Sequence, residues 1–270
     1  DAVTNYKTTL AYSTKINNYE DMARANINIG MCYYHLEDYI SAIEYFSYSI
    51  KLNPSDDQAK FFCAESYRFL KLYRSAINYY QQVADNGSQY SSKSYYYVAE
   101  CYYDMNNFDK ALATFNVALK NMDPSYDVER ANSYFYIGVI NLKRKDGVNN
   151  AITCFKYGLQ VLPNDPDCCE QLAEIYYDKS DFKSAAFYAQ KLTDKYPNRE
   201  SGFKIMGNIK LASEEHQEAI QYYTKALQLS KDQHTYKLRA HIFFKARQYT
   251  QAIQGCCRAI NMYDISENES

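Results

Sequence analysis

The sequence predicts an all-α chain built as a solenoid of antiparallel helix pairs, and two observations predict it. Small residues recur at Gly30, Ala64, Ala99, Gly138, Ala173, Gly207 and Ala240, each followed by an alanine at Ala42, Ala76, Ala111, Ala151, Ala185, Ala219 and Ala252. The interval inside a unit is 12 residues, 13 in the fourth, and the second alanine advances by 34, 35, 40, 34, 34 and 33 residues from unit to unit. A fixed period of roughly 20 to 50 residues is the mark of a repeat array. Apolar residues also recur at helical spacing around both markers, as in Ile29, Cys32, Tyr33 and Leu36, and again in Ile43, Phe46 and Ile50.

Each unit has room for two helices and a turn. Short polar stretches such as Glu37-Asp38 and Asn106-Asn107 mark the turns. Pro54, Pro163 and Pro197 fall 12 residues after Ala42, Ala151 and Ala185. A proline there stops the second helix, because it lacks a donor and clashes with the preceding turn. Gly or Ala at both markers lets paired helices approach closely, and the 31 tyrosines and 13 phenylalanines fill the gaps around those contacts.

In order along the chain, residues 1–22 read as the second helix of a truncated preceding unit. Seven repeats follow over 23–264, at about 23–56, 57–91, 92–130, 131–165, 166–199, 200–232 and 233–264, with a larger insertion near residues 121–131. Residues 265–270 read as a disordered tail. The chain opens on Asp1 and closes without a polar capping helix, as expected of a segment of a longer protein whose uncovered solenoid ends self-associate.

Composition narrows the function. A net charge of −2 argues against a nucleic-acid-binding surface over the whole chain. There is no apolar run of membrane-span length and no basic-then-apolar leader. The eight cysteines are spread at mostly inward helical positions such as Cys32, Cys63 and Cys101, which suits reduced, buried thiols and a cytoplasmic, reducing location. The pairs Cys168-Cys169 and Cys256-Cys257 lack the spacing of zinc or redox sites, and His234 and His241 are too far apart along a helix to share a metal ion unaided. No phosphate loop, dinucleotide turn, zincin motif or nucleophile elbow occurs, so neither catalysis nor a cofactor is expected within this segment.

At this point the chain resembles the tetratricopeptide repeat (TPR) family, whose pattern is a small residue eighth, tyrosine eleventh, alanine twentieth, aromatic twenty-fourth, alanine twenty-seventh and proline thirty-second. The first unit matches with Gly30, Tyr33, Ala42, Phe46, Ser49 and Pro54, and the third with Ala99, Tyr102, Ala111, Phe115 and Ala118. Departures are local: the eleventh position is Asn141 in the fourth unit and Lys210 in the sixth, and the twenty-fourth is Ala189 in the fifth and Cys256 in the seventh. The resemblance implies a right-handed superhelix that works as a non-catalytic protein-interaction scaffold. It implies a concave groove lined by positions 2, 5, 9, 12 and 13 of each first helix.

Carried over position by position, that groove holds the aromatics Phe61, Tyr96 and Phe135, then the carboxylates Glu65, Glu100, Asp104, Asp167, Glu170, Glu174 and Asp178, then Lys204, Asn208, Lys237 and Lys245. The grading from aromatic through acidic to basic would orient a protein or peptide partner with a basic and apolar segment. Lys204 and Asn208 match the first element of the carboxylate clamp of the cochaperone branch, but Leu238 stands where that clamp needs asparagine. The asparagine ladder of the sugar-transferring branch fails after Asn28. The alternative is a targeting arm of an enzyme or cochaperone whose catalytic or effector domain lies outside this segment.

Overall fold

The computed structural model describes residues 2–245 and 247–268, with side chains through 261. The described residues form fifteen helices and no strand, in agreement with the expected all-α class. The chain divides into two compact halves, residues 1–133 and 134–270. Within the N-terminal half run α1 (Ala2–Lys15), α2 (Tyr19–His35), α3 (Tyr39–Leu52), α4 (Asp57–Phe69), α5 (Tyr73–Ala84), α6 (Ser91–Asp104) and α7 (Phe108–Asn121). Helix α8 (Asp127–Leu142) crosses the division. The C-terminal half continues with α9 (Val148–Val161), α10 (Pro166–Asp178), α11 (Phe182–Lys195), α12 (Glu200–Ala212), α13 (His216–Leu229), α14 (Gln233–Lys245) and α15 (Tyr249–Asn268). In each half, consecutive helices pack on one another as antiparallel pairs, α2 with α3 and α12 with α13 among the most extensive.

The turn inside each pair follows one rule. The N–H of Asp38 reaches back to the carbonyl of Tyr33 and that of Glu37 to Tyr34, a Schellman closure, with Glu37 in the left-handed region at φ 61°. The same closure recurs at Leu72 to Tyr67, Asn107 to Tyr102, Asp181 to Tyr176 and Glu215 to Lys210. The residue that ends one helix then starts the next: the side chains of Asp38, Asn107 and Asp181 accept the N–H three residues on. Three residues thus reverse the chain and satisfy both helix ends.

Repeat boundaries fall close to the expected ones, with two differences. The first helix of the first repeat begins at Tyr19, inside the segment assigned to the preceding unit, because Asn18 caps it by accepting from the N–H of Asp21. The long step from Ala111 to Ala151 arises chiefly near the expected insertion: the linker 122–126 and a longer start to the 16-residue α8 place Gly138 27 residues after Ala111, against 21 to 23 for the corresponding steps elsewhere, and the five-residue turn 143–147 lengthens the next interval by one. Helix α15 runs on through the segment read as a tail as far as Asn268, there being no proline after Tyr249 to stop it, and 269–270 lie outside the described residues.

The core is thin and repeats with the sequence. Each marker alanine from Ala42 to Ala219 is fully buried, and so are Phe46, Tyr80, Phe115, Phe155 and Tyr223 at the twenty-fourth position. Those rings, and not the twentieth alanine, are what the eighth residue meets. A β-carbon at Gly30 would come 2.7 Å from Phe46, one at Gly138 2.5 Å from Phe155, and one at Gly207 2.6 Å from Tyr223. Glycine at these three positions leaves room for the ring. No helix among the described residues is long and apolar enough to cross a membrane.

Candidate partner-binding surfaces

In the N-terminal half the expected groove aromatics are core residues. Phe61 is 6% exposed and packs among the rings of Tyr80, Tyr90 and Tyr97. Tyr96 is 4% exposed, lies against Tyr97 and Phe115, and donates its hydroxyl to Glu100 at 3.2 Å. Glu65 is equally withdrawn. Its carboxylate accepts from the hydroxyls of Tyr34 and Tyr80 and from Arg68, whose Nε lies 3.2 Å from Oε1. The Arg68 guanidinium also reaches Glu100 at 3.2 Å and stacks over Tyr97 and Phe69, each at 4.7 Å. A carboxylate is expensive to bury alone and tolerable when every lone pair is taken, as here. Burial opposes the charge of Arg68, but Glu65, Tyr80 and Glu100 hold its pKa above the ordinary value. Burial, then Glu65, pushes the Tyr80 hydroxyl well up. Of the acids assigned to a binding face in this half, Glu65 and Glu100 serve the inside of the fold, while Asp104 is exposed.

The C-terminal half is different. On α10, Asp167, Glu170, Glu174 and Asp178 follow at intervals of three, four and four residues, hence on one face, with Cys169, Leu172 and Ala173 buried on the other. Arg199, just ahead of α12, closes on Asp167 at 2.6 Å and Glu170 at 2.8 Å, and Ser201 donates to Glu170 at 2.7 Å. Lys204 lies between Glu200 at 3.7 Å and Asp232 at 3.6 Å. Asn208 accepts the hydroxyl of Tyr223 at 2.7 Å. Two carboxylates remain. Glu174 accepts only from Gln171, at 3.2 Å, and neither Glu174 nor Asp178 is ion-paired among the described residues.

These two residues also hold the position that matters. A cleft of about 480 Å³ between α10 and α12 is lined by Glu170, Glu174, Asp178, Lys204 and Asn208 together with Tyr177. A second hollow, of about 530 Å³, opens toward α9 and is lined by Asp146, Val148 and Lys179, with Glu174 and Asp178 again on its wall. Partial burial first, then Glu170 and Asp178, push the Glu174 carboxyl above its ordinary value. Such crowding of unneutralised charge favours a cation from outside.

Of the remaining expected groove residues, Phe135 is half-buried against Phe155 and Tyr136, and Lys237 is exposed on α14 and lines neither hollow. Sequence reasoning missed Arg68 and Arg199, the two residues that decide which acids stay free. Arg68 follows Glu65 by three residues on one helix, and Arg199 follows Asp167 by 32, close to one repeat. Both signals were present in the spacing. The thiols of Cys63 and Cys101 are pushed up to about 12 by burial, which makes them inert packing groups.

Tandem helix pairs joined by a three-residue reversal, with a small residue facing a buried ring, define a helical-repeat protein. Profiles described as tetratricopeptide repeat match residues 23–56, 64–127 and 205–233, and the chain belongs to the tetratricopeptide repeat family. A curated relative, intraflagellar transport protein 70A from Danio rerio, is 25% identical over 167 residues, or 62% of this chain. The chain spans 24% of that relative's length. Among solved structures, the C-terminal part of a TPR repeat-containing protein from Cytophaga hutchinsonii superposes with a TM-score of 0.68 at 16% identity, over 87% of this chain and 94% of that one. PilF from Pseudomonas aeruginosa gives 0.66 at 16% identity, over 85% and 99%. PilW, described as a widely conserved type IV pilus biogenesis factor, gives 0.59 at 21%, over 77% and 93%. At these identities the structural likeness speaks to fold alone.

Proposed function

We propose that the chain is a non-catalytic protein-interaction scaffold whose α10–α12 face takes a basic segment of a partner protein. The observation that carries this reading is the pair Glu174 and Asp178, unneutralised on the shared wall of two hollows while the neighbouring acids are taken up by Arg199 and Ser201. A lysine or arginine set between them relieves their mutual repulsion, and Tyr177 and Ile205 offer apolar contact beside it. Lys204 contributes little attraction for an acidic group, since Glu200 and Asp232 already flank it. The partner segment is therefore basic along this face, in an extended or helical form that a groove between repeats accommodates.

The relatives are compatible with this reading, and none of them supplies a partner for this chain. The reading is tested by zero-length carbodiimide coupling in native extract followed by mass spectrometry, which joins carboxylates to amines in direct contact. Cross-links from Glu174 or Asp178 to lysines of one recurrent partner are expected. Cross-links confined to other exposed acids, such as Asp194 and Glu214, would place the partner elsewhere.

A further inference from the structure

We propose that Asn86 is a site of spontaneous covalent modification: the backbone nitrogen of Gly87 displaces its side-chain amide, and the carboxylate that results repels Asp57 and frees the tip of the α5–α6 loop. Asn86-Gly87 is the one asparagine-glycine pair in the sequence, and it lies in the loop 85–90 between those helices. Both residues are exposed, and Gly87 sits in the left-handed region at φ 69°. A β-carbon on Gly87 would meet nothing within 4 Å, so nothing crowds the approach of its nitrogen to the Asn86 side chain. Its N–H makes no backbone hydrogen bond among the described residues. Asp57 accepts from the Asn86 amide nitrogen at 2.7 Å, an exposed contact that leaves the carbonyl carbon open to attack. The fold withholds the same chemistry elsewhere. Asp146-Gly147 could close the same ring, but the Gly147 N–H donates to the Arg144 carbonyl at 3.1 Å, and a β-carbon there would collide with the carbonyl oxygen of Asn141. Asn132-Ser133 lies inside α8, where the helix fixes the backbone.

The step needs only water. Base in the solvent takes the proton of the Gly87 N–H, and the nitrogen bonds to Cγ of Asn86. The bond from Cγ to Nδ2 breaks, ammonia leaves with a proton returned from solvent, and a cyclic imide closes. Water then adds to either imide carbonyl and opens the ring, to aspartate or, with the backbone rerouted through Cγ, to isoaspartate. Either product changes what holds the loop. Asn86 tethers it to the first turn of α4, and a carboxylate in its place faces Asp57 with no donor between them, in a stretch that already holds Asp85. The far end of the loop stays bound, since Tyr126 donates to the Gln89 carbonyl at 3.3 Å and the Tyr90 ring stacks on Phe61 at 4.9 Å. Release is therefore confined to the tip.

The test is incubation of the chain in mildly alkaline buffer made with heavy-oxygen water, followed by peptide mapping in a mass spectrometer. Asn86 is expected to convert at least about tenfold faster than any other asparagine, and than Asp146 isomerises, with isoaspartate as the major product and an oxygen from water built in at residue 86. Asn86→Gln keeps a donor but lacks the fast ring closure, and should stay unmodified. Hydrogen exchange of the loop tip should quicken at least about threefold in Asn86→Asp. It should return toward the parent rate when Asp57→Asn is added, because that restores a donor and an acceptor with their roles exchanged. Conversion at Asn86 no faster than at other asparagines overturns the proposal. So does loop exchange that Asn86→Asp leaves unchanged, or that Asp57→Asn fails to restore.

Discussion

Arg68 ties together the buried cluster of the N-terminal half. Its guanidinium bridges Glu65 and Glu100 and stacks over Tyr97, so it couples helices α4 and α6 through charge, hydrogen bonding and ring contact at once. Removing one member of such a pair leaves the other buried and uncompensated. Arg68→Met should destabilise the chain by about 3 kcal/mol in urea unfolding, and adding Glu65→Leu should recover part of that loss. At Glu174 the balance is reversed. A carboxyl whose folded pKa is raised weakens the fold as pH climbs from the ordinary value near 4.5 through the raised one, and imposes no penalty below both. Glu174→Gln should therefore match the parent in stability at acidic pH, exceed it near about pH 7, and bind the basic partner more weakly. Stability rising with pH in the parent relative to the variant would contradict the assignment.

At the scale of the helix pair, the reversal is built from a left-handed residue followed by a capping residue. Asp38, Asn107 and Asp181 fill the capping place, but the α4–α5 turn has Leu72 there, 51% exposed and without a capping bond. Leu72→Asp should raise stability by about 1 kcal/mol, read as a higher melting temperature with unchanged helix content. The turn chemistry was legible in the sequence because it is local: Glu37-Asp38 and Asn106-Asn107 are polar where the flanking helices are not. The pairing of small eighth residue with twenty-fourth ring was legible as a spacing, but the contact was not. The two alanines share a period, and only the three-dimensional register turns the glycines toward Phe46, Phe155 and Tyr223. Helix length was harder still, since the 40-residue step reads equally as a loop or as the longer α8.

Across the molecule, the repeat period made the fold readable and left the binding surface only half readable. The groove positions are those that the tetratricopeptide resemblance implies, and of the residues it names, Glu170, Glu174, Asp178, Lys204 and Asn208 line one cleft. Which of them is free to act depends on neighbours brought from other repeats, and a single-helix pattern does not contain that. Phe61, Tyr96 and Glu65 sit at groove positions too, yet Tyr80, Tyr97 and Arg68 draw them into the core. Asp167 and Glu170 are likewise ion-paired with Arg199 and so less open to an outside cation.

In the proposed function, Glu174 and Asp178 attract a basic partner from their shared wall. The direct measurement is the association rate and affinity of the cross-linked partner, at two salt concentrations, for Glu174→Lys with Asp178→Lys and for Asp194→Lys with Glu214→Lys. Both pairs shift net charge equally, and the second uses exposed acids that line neither hollow and pair with no lysine or arginine among the described residues. The first pair should lose about tenfold or more in affinity, chiefly through slower association, with most of the salt dependence gone, while the second stays near the parent value. Equal losses in the two variants, or an undiminished affinity in the first, would contradict it.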